Sequence, residues 1–130
     1  MLALMLQPFR RMFDFRGRAR RKEYWLFVLL QLVVFLIAFV LGFSVLPKEG
    51  QLYSLVGLPL LHVAIFGLPT LAAQVRRLHD ADKSGWWVLV SLVPYIGLGW
   101  ILYMMAQPGS WGPNRFGDDP RRSWDGDLFE

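Results

Sequence analysis

Residues 24–47 read YWLFVLLQLVVFLIAFVLGFSVLP, without one Asp, Glu, Lys or Arg. A helix needs about 20 apolar residues to cross the hydrocarbon layer of a bilayer, and this run supplies them. Working outward from it, residues 50–75 and 84–114 are equally free of those four charged types. A water-soluble chain of 130 residues would have to bury all three stretches in one small core, and too little polar surface would remain to cover it. The expected class is therefore an all-α integral membrane protein.

Composition points the same way, with 55% hydrophobic and only 18% charged residues, a membrane-like balance. The length allows one domain and no separate catalytic module. Cysteine is absent, which excludes disulfides, thiolate metal sites and a cysteine nucleophile. The net charge of +4 is not read as nucleic-acid binding, because half of the basic residues crowd before Tyr24. A basic block beside a span is explained by retention on the cytoplasmic side and attraction to anionic lipid. The apolar start is too short for a cleaved leader and its basic residues follow rather than precede it, so a retained first span is expected.

The expected layout has a basic interfacial segment at 1–23, a membrane domain at 24–106 and a polar irregular tail at 107–130. In the first segment Phe9, Met12 and Phe13 recur at helical spacing, Pro8 suits a first turn, and the piece is expected to lie in the headgroup layer. The spans are placed at about 24–46, 52–75 and 86–106. The second carries Gly-Leu-Pro twice, at 57–59 and 67–69, which predicts a kinked helix closely packed at its glycines. The third is broken near Pro94. The last ten residues of the tail are expected to be mobile.

Orientation follows from the basic residues. Seven lie before Tyr24 and three at 76–85, against Lys48 alone in the turn between the first two spans. The N-terminus and the 76–85 loop are therefore expected in the cytoplasm. If the third segment crosses once, Arg115, Arg121 and Arg122 end outside. If it doubles back at 94–97 they stay inside, with arms too short to span. A single crossing is the preferred expectation.

Three ordered motifs carry a family resemblance. FRGRARRKEYW at 15–25, RRLHD at 76–80 followed by SGWW at 84–87, and PG at 108–109 with NRFG at 114–117 resemble the signatures of the family known as domain of unknown function 805. Asp118 stands where that family usually has proline. The resemblance implies a small bacterial inner-membrane protein, multi-pass, from a family without an established activity.

Candidate site residues divide into two groups. Arg18, Arg20, Arg21, Lys22, Arg76, Arg77, His79 and Asp80 are candidates for binding anionic lipid or a membrane partner. Arg76 and Asp80, four apart on one helical face, are expected to pair, and Ser84 is a candidate N-cap for the third segment. Within the apolar runs the polar residues are Gln31, His62 and Thr70. Gln31 and Thr70 fall at similar depth in antiparallel spans, which predicts a hydrogen bond between them. No nucleophile–base pair, phosphate-binding loop or metal-ligand cluster is evident, and no cofactor is expected. The favoured function is non-enzymatic engagement of anionic lipid or a membrane partner, including a second copy of the chain, by a cytoplasmic basic face. The alternative is a small oligomeric transporter or channel component, with His62 on its path.

Overall fold

In the computed structural model, which describes residues 1–121, the chain folds into α1 (Leu2–Arg10), α2 (Arg21–Val45), α3 (Lys48–Asp80), a 3-10 helix (Gly85–Leu92) and α4 (Gly97–Ala106). Helices α2 and α3 are long and apolar enough to cross a membrane. They are not the core helices of a soluble fold. Leu29, Val40, Leu60 and Val63 stand exposed along them, so the apolar surface faces outward.

The two helices form an antiparallel hairpin joined at Leu46 and Pro47. Pro47 caps the start of α3 with extended backbone, and Glu49 lies in its first turn, where a negative charge meets the positive end of the helix dipole. Thr70 Oγ1 donates to Gln31 Oε1 at 3.2 Å, the bond expected from their matched depth. α3 runs through Pro59 and Pro69 without a break. The close approach expected at its glycines occurs elsewhere: a Cβ on Gly57 would meet nothing within 4 Å, whereas one on Gly42 of α2 would lie 3.1 Å from Ser54 Oγ.

The N-terminal segment also differs from expectation. α1 begins at Leu2 and ends before Met12 and Phe13, and Pro8 sits in its second half. Phe9 turns into the protein, its ring 5.5 Å from Phe27 and 5.3 Å from Phe66. Edge-to-face and tilted ring contacts of this kind add to simple area burial, which favours an inward Phe9 over one dipped into headgroups.

The third apolar segment is the main correction. It does not run as one crossing helix. The 3-10 helix travels back along α3, with Gly85 against Val75 and His79. The chain then reverses through Pro94 and Tyr95, the latter at a φ of 67°, and α4 returns to the end of α3 from which it left. There Arg77 Nε donates to Met105 O at 3.2 Å. The arms lie side by side, with Trp87 and Trp100 ring centroids 5.6 Å apart. At about 2.0 Å per residue the first arm is about 16 Å long, and α4 is about 15 Å, each near half the ~30 Å hydrocarbon thickness. Three donors of the reversal are locally satisfied: Val93 N–H reaches Val90 O, Ile96 N–H reaches Pro94 O and Gly97 N–H reaches Val93 O, and proline has none.

A small core sits where the hairpin meets the two long helices. Tyr24, Ala73, Leu78, Val88, Ile101, Met104 and Met105 form it. The tail was expected to be irregular, and residues 107–121 do lack helix, but they are fixed against the end of α3 by hydrogen bonds. The expected mobility of the last ten residues falls, Arg121 aside, outside the described residues.

Candidate functional site

The end of α3 carries Arg76, Arg77, His79 and Asp80, and the helix stops just beyond them. Ala81 ends it and Asp82 takes a φ of 55°. Asp82 N–H then reaches His79 O at 3.0 Å and Lys83 N–H reaches Leu78 O at 2.9 Å, the paired bonds that close a helix through a left-handed residue. Ser84 Oγ accepts from Trp86 N–H and caps the 3-10 helix, as its position suggested. The last turn of α3 is thus held rigidly at both edges.

Asp80 is the centre of the site. Its Oδ1 accepts from Arg18 Nε at 3.0 Å and its Oδ2 from Arg77 at 2.7 Å, and all three side chains are buried. The two guanidiniums also reach backbone carbonyls of the tail. Arg18 donates to Ser110 O and Gly112 O, each at 2.6 Å, and Arg77 to Gln107 O. Ser110 N–H returns to Asp80 O at 2.7 Å. Gly109 lies so close that an added Cβ would fall 2.0 Å from Asp80 Oδ2; only glycine admits this approach.

The expected Arg76–Asp80 pair does not form. Arg76 points the other way, donating to Arg11 O at 2.7 Å and Asp14 O at 2.6 Å, with Glu23 Oε1 at 3.6 Å. The reason is that Arg77, three residues before Asp80, already occupies its second oxygen. Glu23 and Arg76 face each other, and among the described residues neither Glu23 Oε1 nor Arg76 NH2 has a hydrogen bond.

His79 sits on the opposite flank. Gly17 O lies 3.1 Å from its Nδ1, and a carbonyl only accepts, so Nδ1 carries the proton. Phe116 stacks on the ring at 3.9 Å, nearly parallel, and Asn114 Nδ2 donates to His79 O at 2.9 Å.

Residues 12–118 match the family described as "Protein of unknown function (DUF805)". The chain belongs to this family. It is 45% identical over 111 residues to the inner membrane protein YhaH of Escherichia coli K12, covering 82% of this chain and 87% of that one. It is 44% identical to the inner membrane protein YhaI of the same strain, covering 82% and 86%. It is 29% identical to the uncharacterized protein YiiR, covering 81% and 67%. No solved structure matches the chain. The family match begins beyond α1 and takes in Arg18, Arg77, Asp80, Ser110, Asn114 and Phe116, so every hydrogen bond to Asp80 among the described residues lies within it.

The eight residues expected to bind lipid or a partner therefore separate. Arg18, Arg76, Arg77 and Asp80 are internal, spent on joining three distant segments, and His79 is largely covered. Arg20, Arg21 and Lys22 instead line an open cleft of about 290 Å³ together with Arg121 and Pro120. Arg20 reaches Pro120 O. Of the residues within the apolar runs, Gln31 and Thr70 meet each other, and His62 lies between Phe35 and Phe66, with ring centroids 5.3 and 4.7 Å away. Sequence reasoning missed Glu23 and the tail. The PG and NRFG motifs were the available signal for Ser110, Asn114 and Phe116. Asp119 falls in the same closing motif, one position after Asp118, but nothing in it pointed to the pairing with Arg121 at 2.9 Å.

Proposed function

We propose that this chain is a multi-pass inner-membrane protein whose cytoplasmic basic cleft holds the phosphate of anionic lipid headgroups, a binding role rather than a catalytic one. The doubled-back third segment supports the orientation. It brings Arg115 and Arg121 to the same end as the seven basic residues before Tyr24 and the three at 76–85, leaving Lys48 alone at the other among the described residues. That asymmetry is the one the positive-inside rule associates with the cytoplasmic face.

The cleft itself carries the reading. Among the described residues four cations line it, Arg20, Arg21, Lys22 and Arg121, and the single acid is Asp80, already engaged by Arg18 and Arg77. Arg21 makes one long bond, to Ala106 O at 3.4 Å, so its donors are available to a phosphate in the fork geometry that guanidinium favours. The cleft opens beside the start of α2, at the level where headgroups lie, and basic pockets on this side of a membrane domain suit such heads.

The test is native mass spectrometry of the full chain from nanodiscs containing phosphatidylglycerol and phosphatidylcholine. Each basic contact is worth about 1 kcal/mol, so Arg21→Gln with Lys22→Gln should cut retained phosphatidylglycerol by about thirtyfold and flatten its salt dependence. Unchanged retention in a correctly inserted double variant would sink the proposal.

A further inference from the structure

A second cavity lies on the other side of the α3 terminus, between α3 and the 3-10 helix. It measures about 500 Å³, within the range of small-molecule sites. Its walls are apolar: Leu71 and Val75 from α3, Val88 and Leu89 from the 3-10 helix, and Phe15. None of the cations of the basic cleft reaches it. The groove exists because Gly85 lets the arm touch α3 at one end, where a Cβ would fall 2.7 Å from Val75 Cγ1.

Two polar groups line this cavity, His79 and Ser84. His79 is 8% exposed. Its Nδ1 proton is committed to Gly17 O, so Nε2 presents a lone pair. Among the described residues Nε2 has no hydrogen-bonding partner, and it faces Gly85, at 3.4 Å from where a Cβ would stand. Ser84 Oγ accepts from Trp86 N–H, and its own proton is free to donate. The site thus offers one strong acceptor and one hydroxyl at an apolar slot, with no charge.

We propose that this groove binds a neutral, hydroxyl-headed lipid of the diacylglycerol type, one acyl chain against Leu71, Val75 and Leu89 and the hydroxyl donating to His79 Nε2. A phosphate would set its oxygens against the Nε2 lone pair, which separates this site from the basic cleft. The inference does not depend on the cleft binding anything.

The experiment uses the full chain in phosphatidylcholine nanodiscs, with dioleoylglycerol, its methyl ether and dioleoylphosphatidylglycerol as probes. Native mass spectrometry should show dioleoylglycerol retained about tenfold over the ether, which lacks the donor. The preference should vanish in His79→Phe, which keeps the ring stack on Phe116. Leu89→Trp, an exposed position that fills the slot, should abolish retention of both glycerolipids and leave phosphatidylglycerol untouched. In a His62→Gln background the ¹⁵N resonance of His79 Nε2 should move on adding dioleoylglycerol and stay fixed with the ether. Equal retention of alcohol and ether, preferential retention of phosphatidylglycerol that Leu89→Trp removes, or an unmoved Nε2 resonance would each overturn the assignment. Should His79→Phe misfold, the ether comparison and the resonance still decide it on chains that retain His79.

Discussion

Arg18 Nε donates to Asp80 Oδ1 at 3.0 Å, although 62 positions separate the two residues in the chain. The same carboxylate takes Arg77 on its other oxygen, and both cations go on to tail carbonyls. One acid thereby ties the segment before α2, the end of α3 and the segment after α4. The pairs are buried, so losing a partner strands a charge instead of exposing it to water.

Asp80→Asn should be among the most damaging single changes, because it leaves two buried guanidiniums facing a neutral amide. Breaking a buried pair costs about 3–5 kcal/mol. A double-mutant cycle on thermal unfolding in detergent should show strong coupling between Arg77→Gln and Asp80→Asn, which share a contact. Arg76→Gln with Asp80→Asn should come closer to additive, since Arg76 faces Glu23. Stronger coupling for the second pair would refute the assigned partners.

Gly109→Ala should destabilise the protein by displacing the tail from Asp80, given a Cβ position 2.0 Å from Oδ2. Gly57→Ala is the matched control. Nothing lies within 4 Å of that site in α3, so relief of helical glycine should stabilise it by about 0.5–1 kcal/mol. Melting temperatures moving in the same direction for both would contradict the close approach at Gly109.

Acid should loosen the tail through Asp119. Arg121 beside it, with the N–H groups of Arg121 and Gly112, holds its carboxyl well below the usual range. A folded value below the unfolded one means stabilisation that is complete above about pH 4 and is lost as pH falls further. A ¹⁹F signal from fluorotryptophan at Trp111, whose ring lies 4.3 Å from the Arg121 guanidinium, should report this as pH falls below about 4 and stay fixed above it. Asp119→Asn should remove that component, and an identical acid response in the variant would count against it.

Single cysteines at Lys83 and at Trp111, both exposed, should label from the same membrane face, and one at Lys48 from the opposite face. This follows from the return of α4 to the end of α3. Labelling of Lys83 and Trp111 from opposite faces would restore a third crossing.

Much of the membrane architecture was legible because uncharged runs longer than a bilayer admit few alternatives. The two long helices and the Gln31–Thr70 bond follow from length and depth alone. The doubled-back segment was not legible to the same degree. Pro94 and Gly97 announce a break, yet whether the chain continues or reverses depends on Arg77 capturing the carbonyls of Met105 and Gln107, 28 and 30 residues further along the chain. The clasp was half legible: its residues stand out in RRLHD, but helical spacing pairs Asp80 with Arg76 as readily as with Arg77. The choice is made by Arg18 arriving from a distant segment, which periodicity does not encode. Phe9 was misplaced for a similar reason, since its partners Phe27 and Phe66 lie in other helices.

The short hairpin also gives the molecule unequal ends. Set upright in a bilayer, α2 and α3 are each long enough to pass through both leaflets, while the 3-10 helix and α4 would reach through only the one nearer the basic residues. With each helix about 10–12 Å across, the cross-section in that leaflet is roughly double that in the other. Such a tapered body displaces more lipid on one side than on the other, and the bilayer around it must either bend or redistribute its lipids to match.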